Sequence, residues 1–335
     1  MNAPPVLSLA QAAQIIARGQ LLAFPTETVY GLGADASQDA AVAQIFAAKG
    51  RPADHPLIVH VANAKAITHF ARQVPEFAQR LIDAFWPGPL TVILPRLAGV
   101  ATACAGGQDS IGLRCPSHPM AQALLEQCAA LGVHGVAAPS ANKFGKVSPT
   151  SAAHVRSEFG LELAVLDGGA CEVGIESTIV DCTRGAPVLL RPGVLTREQI
   201  EGAMGRTLLL PDDLVGAQDA PLSEPAPRAS GTLASHYAPR ATLRLMDAKS
   251  LQTAVELLGA DAKNIAVYAR TPVHTRSSAL IVRRMPDGAA ATAQQLFAVL
   301  RDFDAQGVRL IWVENVPQDT AWDGVRDRLQ RAAAH

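Results

Sequence analysis

Short apolar runs alternate with stretches of helical periodicity along almost all of the chain, and that alternation breaks only once. It leaves few foldable options. An apolar strand of this kind is buried on both faces and needs helices to cover it, so the pattern predicts layered α/β architecture. Helices are expected over 9–18 (opened by Ser8, stopped by Gly19), 40–49 (stopped by Gly50), 64–70, 76–85, 120–130 and 152–159. Thr196 and Gln199 form a capping-box pattern opening another at 197–204. Strands are expected at 21–24, 57–61, 90–94, 111–113, 135–138, 164–166, 178–181 and 188–190. After Gly205 the pattern lapses. The stretch 211–227 holds Pro211, Pro221, Pro225 and Pro227, has no apolar period and reads as a linker. The alternation then restarts, with strands expected at 243–246, 265–268, 280–282 and 310–313 and helices at 250–258, 291–303 and 322–334. The expected organisation is a catalytic unit over 1–205, a linker over 206–240 and a smaller α/β unit over 241–335, which suits a chain of 335 residues.

Composition narrows the function classes. Twenty-nine Lys+Arg against 30 Asp+Glu leave a formal charge of −1, which excludes a generally basic nucleic-acid coat but not a local basic cleft. Three Trp, three Tyr and nine Phe are too few for stacking platforms to be a main theme. The five cysteines, Cys104, Cys115, Cys128, Cys171 and Cys182, include no C-x-x-C, so neither a disulfide framework nor a Cys-rich zinc site is expected. They read as small buried hydrophobes. With no apolar run of membrane-spanning length and no basic region before Leu9, a cytoplasmic location away from membranes is expected.

Gly31-Leu32-Gly33-Ala34-Asp35-Ala36 matches G-x-G-x-x-[GA], with Asp54 about twenty residues on. The helix that follows starts too late for its amide end to meet a pyrophosphate. A tight strand exit is therefore the preferred reading over a dinucleotide site. No Walker A sequence, G-x-S-x-G elbow or H-E-x-x-H occurs. What remains is a set of polar residues at strand ends: Lys49 and Arg51 after a helix, His60 in an apolar strand, Ser110 and Arg114 flanking another, Pro139-Ser140-Ala141-Asn142, Ser148-Pro149-Thr150, Glu176-Ser177-Thr178 and Arg191-Pro192-Gly193. Ligands of open α/β sheets collect at strand-end loops, and cations with hydroxyls and amides suit an anionic small ligand. Each has a plainer alternative. Lys49 and Arg51 complement a helix dipole, Ser140 to Asn142 make a turn, and His60 is a core histidine. Arg114 is harder to dismiss, because a buried guanidinium needs an anionic partner. His69, His118, His134 and His154 read as structural.

Together Phe24-Pro25-Thr26-Glu27-Thr28-Val29-Tyr30-Gly31-Leu32-Gly33, Lys49-x-Arg51-Pro52, Pro139-Ser140-Ala141-Asn142 with Ser148-Pro149-Thr150, and Glu176-Ser177-Thr178-Ile179-Val180-Asp181 resemble a YrdC-like domain. With His236-Tyr237-Ala238-Pro239 and the second α/β unit, the chain resembles the long, two-domain threonylcarbamoyl-AMP synthases over nearly its whole length. The resemblance implies a twisted open mixed sheet with helices, followed by a smaller Rossmann-like unit. It implies formation of L-threonylcarbamoyladenylate and pyrophosphate from L-threonine, bicarbonate and ATP, with Mg2+ on the phosphates. The product would pass to the machinery that builds threonylcarbamoyladenosine in tRNA, with tRNA itself a candidate partner. Thr28, His60, Arg114 and Ser177 would line the threonine pocket. Lys49, Arg51, His55, Ser110, Ser140, Asn142, Ser148 and Arg191 would line the nucleotide pocket, with Lys49 and Arg51 catalytic and Tyr237 reaching back from the linker.

Two positions depart from the family pattern. His55 stands where Asn is usual, and Ser230-Gly231 where Pro-Gly is frequent. Two other readings stay open at this stage. One is an RNA-binding YrdC-like module without ATP chemistry, which steep salt dependence would reveal. The other is a carbamoyl transferase like the hydrogenase-maturation relatives, which normally carry zinc-finger domains that this chain, without C-x-x-C, lacks.

Overall fold

The computed structural model describes residues 7–214 and 226–334. Two compact units emerge: Met1–Phe144 with Ser148–Thr232, and Gly145–Val147 with Leu233–His335.

In the first unit the elements run α1 (Leu9–Ala17), β1 (Leu22–Phe24), β2 (Gly31–Asp35), α2 (Asp39–Lys49), β3 (Ile58–His60), α3 (Glu76–Phe85), β4 (Leu90–Pro95), β5 (Ser110–Arg114), α4 (Pro119–Ala130), β6 (Val136–Ala137), α5 (Ala152–Phe159), β7 (Ala164–Val165), β8 (Thr178–Asp181), β9 (Val188–Arg191) and α6 (Arg197–Met204). The strands make one mixed sheet in the order β7-β1-β2-β6-β3-β5-β4-β8-β9. The capping residues act as their types require. Ser8 and Gln11 close a capping box at α1, Thr196 and Gln199 another at α6, and Gly50 ends α2 in the left-handed conformation.

The two faces of this sheet are covered unequally, and that inequality positions the site. One face, carrying Leu32, Val59, Val92, Leu113 and Val180, is packed by apolar residues of α2, α3, α5 and α6. On the other, α1 and α4 bury Leu22, Phe24 and Val136. Those residues belong to β1 and β6, so this helix cover lies over one half of that face. Over the neighbouring strands β3, β5, β4 and β8 the same face forms a cleft of about 290 Å³, lined by Ile58, Thr91, Ile93, Ser110, Gly112, Ile179 and the segment Arg228, Ala229 and Ser230.

Three sequence expectations are revised. Gly31 to Asp35 is neither a phosphate loop nor a strand exit but the fully buried strand β2, antiparallel to β1. A Cβ on Gly33 would sit 2.8 Å from the Phe24 ring and 2.9 Å from Val136, so glycine is required by close approach, not by a turn. The stretch 64–70 is a 3-10 helix, Ala64–His69, rather than an α-helix: its two buried residues, Ile67 and Phe70, are three apart, and that spacing fits the tighter period. In the expected linker, Pro211–Leu214 is a 3-10 turn, 215–225 lies outside the described residues, and 226–232 belongs to the first unit.

The second unit runs β10 (Thr242–Met246), α7 (Ala248–Leu258), β11 (Ile265–Ala269), β12 (Ile281–Arg284), α8 (Ala289–Ala305), β13 (Leu310–Glu314) and α9 (Asp323–Ala333). Its four strands are all parallel, in the order β10-β13-β11-β12, as in Rossmann-like sheets. Leu251, Val255, Val267 and Trp312 are central to one of its apolar clusters. No helix of the described residues is long and apolar enough to cross a membrane.

Candidate functional site

Strand register builds the site. His60 lies opposite Arg114 across β3 and β5, Arg114 opposite Thr91 across β5 and β4, Thr91 opposite Ile179, and Ile179 opposite Arg191. Residues directly opposite share a face, so one row carries His60, Arg114, Thr91 and Arg191 along the cleft side of the sheet. The i, i+2 alternation of β5 puts Ser110 and Gly112 on that side as well.

Arg114 finds its anionic partner in the hairpin loop between β1 and β2. Its Nη2 lies 2.7 Å from Glu27 Oε1, with the two side chains only 4% and 5% exposed. Glu27 Oε2 also accepts from the Ser117 backbone N–H at 3.1 Å. Thr28, in the same loop, shares a 2.9 Å hydroxyl contact with Thr26. His60 is 3% exposed and its Nδ1 has no hydrogen-bond partner among the described residues. Burial, with the Arg114 guanidinium adding to it, pushes its pKa down to about 3.

The unfolded chain protonates such a histidine near 6.5, whereas the folded chain resists until about 3. Between those values the unfolded state binds the extra proton, so stability falls as pH falls. At pH 5 this one group is expected to have cost about 2 kcal/mol. Urea midpoints at pH 7 and pH 5 check this: His60→Gln should lose less stability over that interval than the unsubstituted chain, and equal losses would refute it.

A second set gathers at the C-terminus of α2. Lys49 is buried, and its Nζ donates to the carbonyls of Ser140 (2.6 Å) and Asn142 (2.5 Å). Burial first, and the neighbouring Arg51 second, hold its pKa well below the ordinary lysine value. Arg51 Nη2 donates to the Pro56 carbonyl at 2.9 Å and to Ser230 Oγ at 3.2 Å. Its guanidinium lies 5.7 Å from the centre of the Phe144 ring, on whose edge His55 also packs, 5.3 Å away. Partial burial, then Arg51, lower the His55 pKa. Ser148 Oγ donates to Glu176, both of them buried.

Arg191 joins the two sets. Its Nε and Nη2 donate to the Ser177 carbonyl at 3.1 and 2.9 Å, Nη2 reaches Ser177 Oγ at 3.2 Å, and Nη1 donates to the Ser230 carbonyl at 2.8 Å. Contacts therefore run without a break from Thr91 through Ser177, Arg191 and Ser230 to Arg51. Tyr237 falls in the second unit, where its ring stacks on Phe297 (5.5 Å) with the Arg328 guanidinium 5.1 Å away.

Sequence reasoning missed four participants. Glu27 and Glu176 sit inside the motifs yet read as unassigned acids. Thr91 hides in Leu90-Thr91-Val92-Ile93-Leu94, where a β-branched residue is simply strand-like. Ser230 lies in what reads as linker, and nothing local announces that its carbonyl and hydroxyl meet two arginines. Among the described residues no three His, Cys, Asp or Glu side chains cluster as a metal-ligand set.

A mixed sheet with buried arginines and hydroxyls along one open face, followed by a small parallel-sheet unit, defines an α/β protein of the YrdC-like class with a C-terminal extension. The Sua5–YciO–YrdC family profile, described as "Telomere recombination", matches residues 14–193, and the profile "Threonylcarbamoyl-AMP synthase, C-terminal domain" matches 195–334. The chain belongs to the threonylcarbamoyl-AMP synthase family. It is 38% identical to the threonylcarbamoyl-AMP synthase of Pyrococcus abyssi, covering 97% of this chain and 93% of that one, and 36% identical to the one of Bacillus subtilis, covering 97% and 92%. A crystal structure of P. abyssi Sua5 complexed with L-threonine matches with a TM-score of 0.84 at 38% identity, covering 97% of this chain and 94% of that one.

Proposed function

We propose that this chain is a threonylcarbamoyl-AMP synthase, forming L-threonylcarbamoyladenylate and pyrophosphate from L-threonine, bicarbonate and ATP. The observation that carries this reading is the unbroken polar chain from Thr91 to Arg51, with Arg114 opposite Thr91 in the cross-strand row. In the proposed reaction the threonine amine is carboxylated, an oxygen of the resulting carbamate attacks the α-phosphorus, and the bond to the β-phosphate breaks to release pyrophosphate. No protein nucleophile is needed. The work left to the protein is positioning and electrostatic stabilisation.

Arg114, with one side held by Glu27, presents its other donors to the threonine carboxylate. Thr28, His60 and Ser177 supply the remaining contacts to that amino acid. Lys49, Arg51 and Arg191 face the phosphates and the charge that develops on them. Ser110, Ser140, Asn142, Ser148 and His55 complete the nucleotide site. Glu27 and Glu176 are engaged by Arg114 and Ser148, and their surroundings do not fit a resident metal site. Magnesium enters with the nucleotide, as part of the substrate.

With the 226–232 segment against it, the cleft leaves free space of only about 20 Å³, little more than a water molecule needs. We read the 226–232 segment as a lid that withdraws from Arg51 and Arg191 when the nucleotide enters and closes over it afterwards. Residues 1–205 form the catalytic unit in this reading, 206–240 the connecting segment and 241–335 the smaller α/β unit. The enzyme works in the cytoplasm, and its product passes to the tRNA threonylcarbamoyl-transfer machinery.

The test is pyrophosphate release by the purified full chain. Release is expected from ATP only when both L-threonine and bicarbonate are present. No release with both substrates would overturn the assignment.

A further inference from the structure

We infer that Thr91 is a positioning residue that makes Ser177 a hydrogen-bond donor to the threonine carboxylate. The inference deepens the threonine-pocket reading above and rests on it. Thr91 is completely buried in β4, and its hydroxyl has one hydrogen-bond neighbour among the described residues, Ser177 Oγ at 2.8 Å. A buried hydroxyl proton needs an acceptor, so Thr91 donates to Ser177. A guanidinium only donates, so Arg191 Nη2, 3.2 Å from the same oxygen, takes the second lone pair.

With both lone pairs of Ser177 Oγ occupied, its own proton must point elsewhere, to an acceptor outside this trio. Two further bonds from Arg191 to the Ser177 carbonyl hold the residue still while this happens. Thr91 stands next to Arg114 in the cross-strand row and lines the cleft. Through Thr91 the donor so created is joined to the strand pair that carries Arg114, and a hydroxyl donor with a guanidinium suits a carboxylate, one oxygen to each. An isopropyl side chain at position 91 keeps the shape but frees a lone pair on Ser177, and the hydroxyl loses its enforced direction.

Calorimetric titration of the full chain with L-threonine, together with steady-state pyrophosphate release, tests this. Thr91→Val should weaken threonine binding and raise the threonine KM about tenfold, the effect of one misdirected hydrogen bond, while the ATP KM stays within about twofold. Thr91→Ser should restore both. In a Ser177→Ala background Thr91→Val should add nothing further. If the unsubstituted chain binds no threonine, the pocket reading itself is wrong. If it binds threonine and Thr91→Val binds it equally well, the pocket stands and the role given to Thr91 is refuted. A parallel rise in both KM values, or failure of Thr91→Ser to restore binding, would make Thr91 a general packing residue and refute it too.

Discussion

Arg51→Ala is expected to lower kcat for pyrophosphate release by about 10²–10³-fold while leaving the fold at least as stable as before. The two halves of that expectation have one cause. Arg51 and Lys49 are buried cations two residues apart; burial first, and Arg51 second, disfavour the charge on Lys49. Such an arrangement is costly in the resting protein, and in the proposed reading the arriving triphosphate offsets that cost. Removing the guanidinium relieves the repulsion and raises the Lys49 pKa, so thermal unfolding should not move downward. The triphosphate then loses a charge-assisted donor where negative charge develops, and turnover falls. A variant that kept full turnover would show that Arg51 serves the helix terminus alone.

Arg114→Ala should behave in the opposite way with respect to stability. Its partner Glu27 is 4% exposed and would be left as an uncompensated buried carboxylate, at a cost of about 3–5 kcal/mol. Threonine binding should be lost in the same variant, because the fork for the carboxylate is gone. The double variant Arg114→Ala, Glu27→Gln separates the two effects. It should recover most of the urea midpoint, since an amide tolerates burial far better than a lone carboxylate, yet bind threonine no better than the single variant. Recovery of threonine binding along with stability would mean that Arg114 acts only as the counter-ion of Glu27. The threonine pocket would then need another carboxylate partner.

Much of the architecture was legible along the chain. Alternating apolar runs and helical periods located nearly every element, because strand and helix burial impose periods that survive in the residue order. Local signals such as the Thr196–Gln199 box and Gly50 marked helix ends, because caps act within a single turn. The exception was β2. Its two glycines read as a loop because the reason for Gly33, the Phe24 ring and Val136 less than 3 Å from where a Cβ would sit, lies across the sheet.

The site divides along the same line. Residue chemistry at strand ends pointed to an anionic ligand, and the motifs named Lys49, Arg51, Arg114, Ser177 and Arg191 without their neighbours. Only the folded sheet could set His60, Arg114, Thr91 and Arg191 in one row, since register joins β3, β5, β4, β8 and β9 out of chain order. Only tertiary packing turned Glu27 into the partner of Arg114 and brought Ser230 to Arg51 and Arg191, across 179 and 39 residues. Periodicity and capping are short-range and written into the order of the residues. Charge pairing and hydroxyl direction depend on distances of a few ångströms between segments remote in sequence, and those exist only once the sheet has closed.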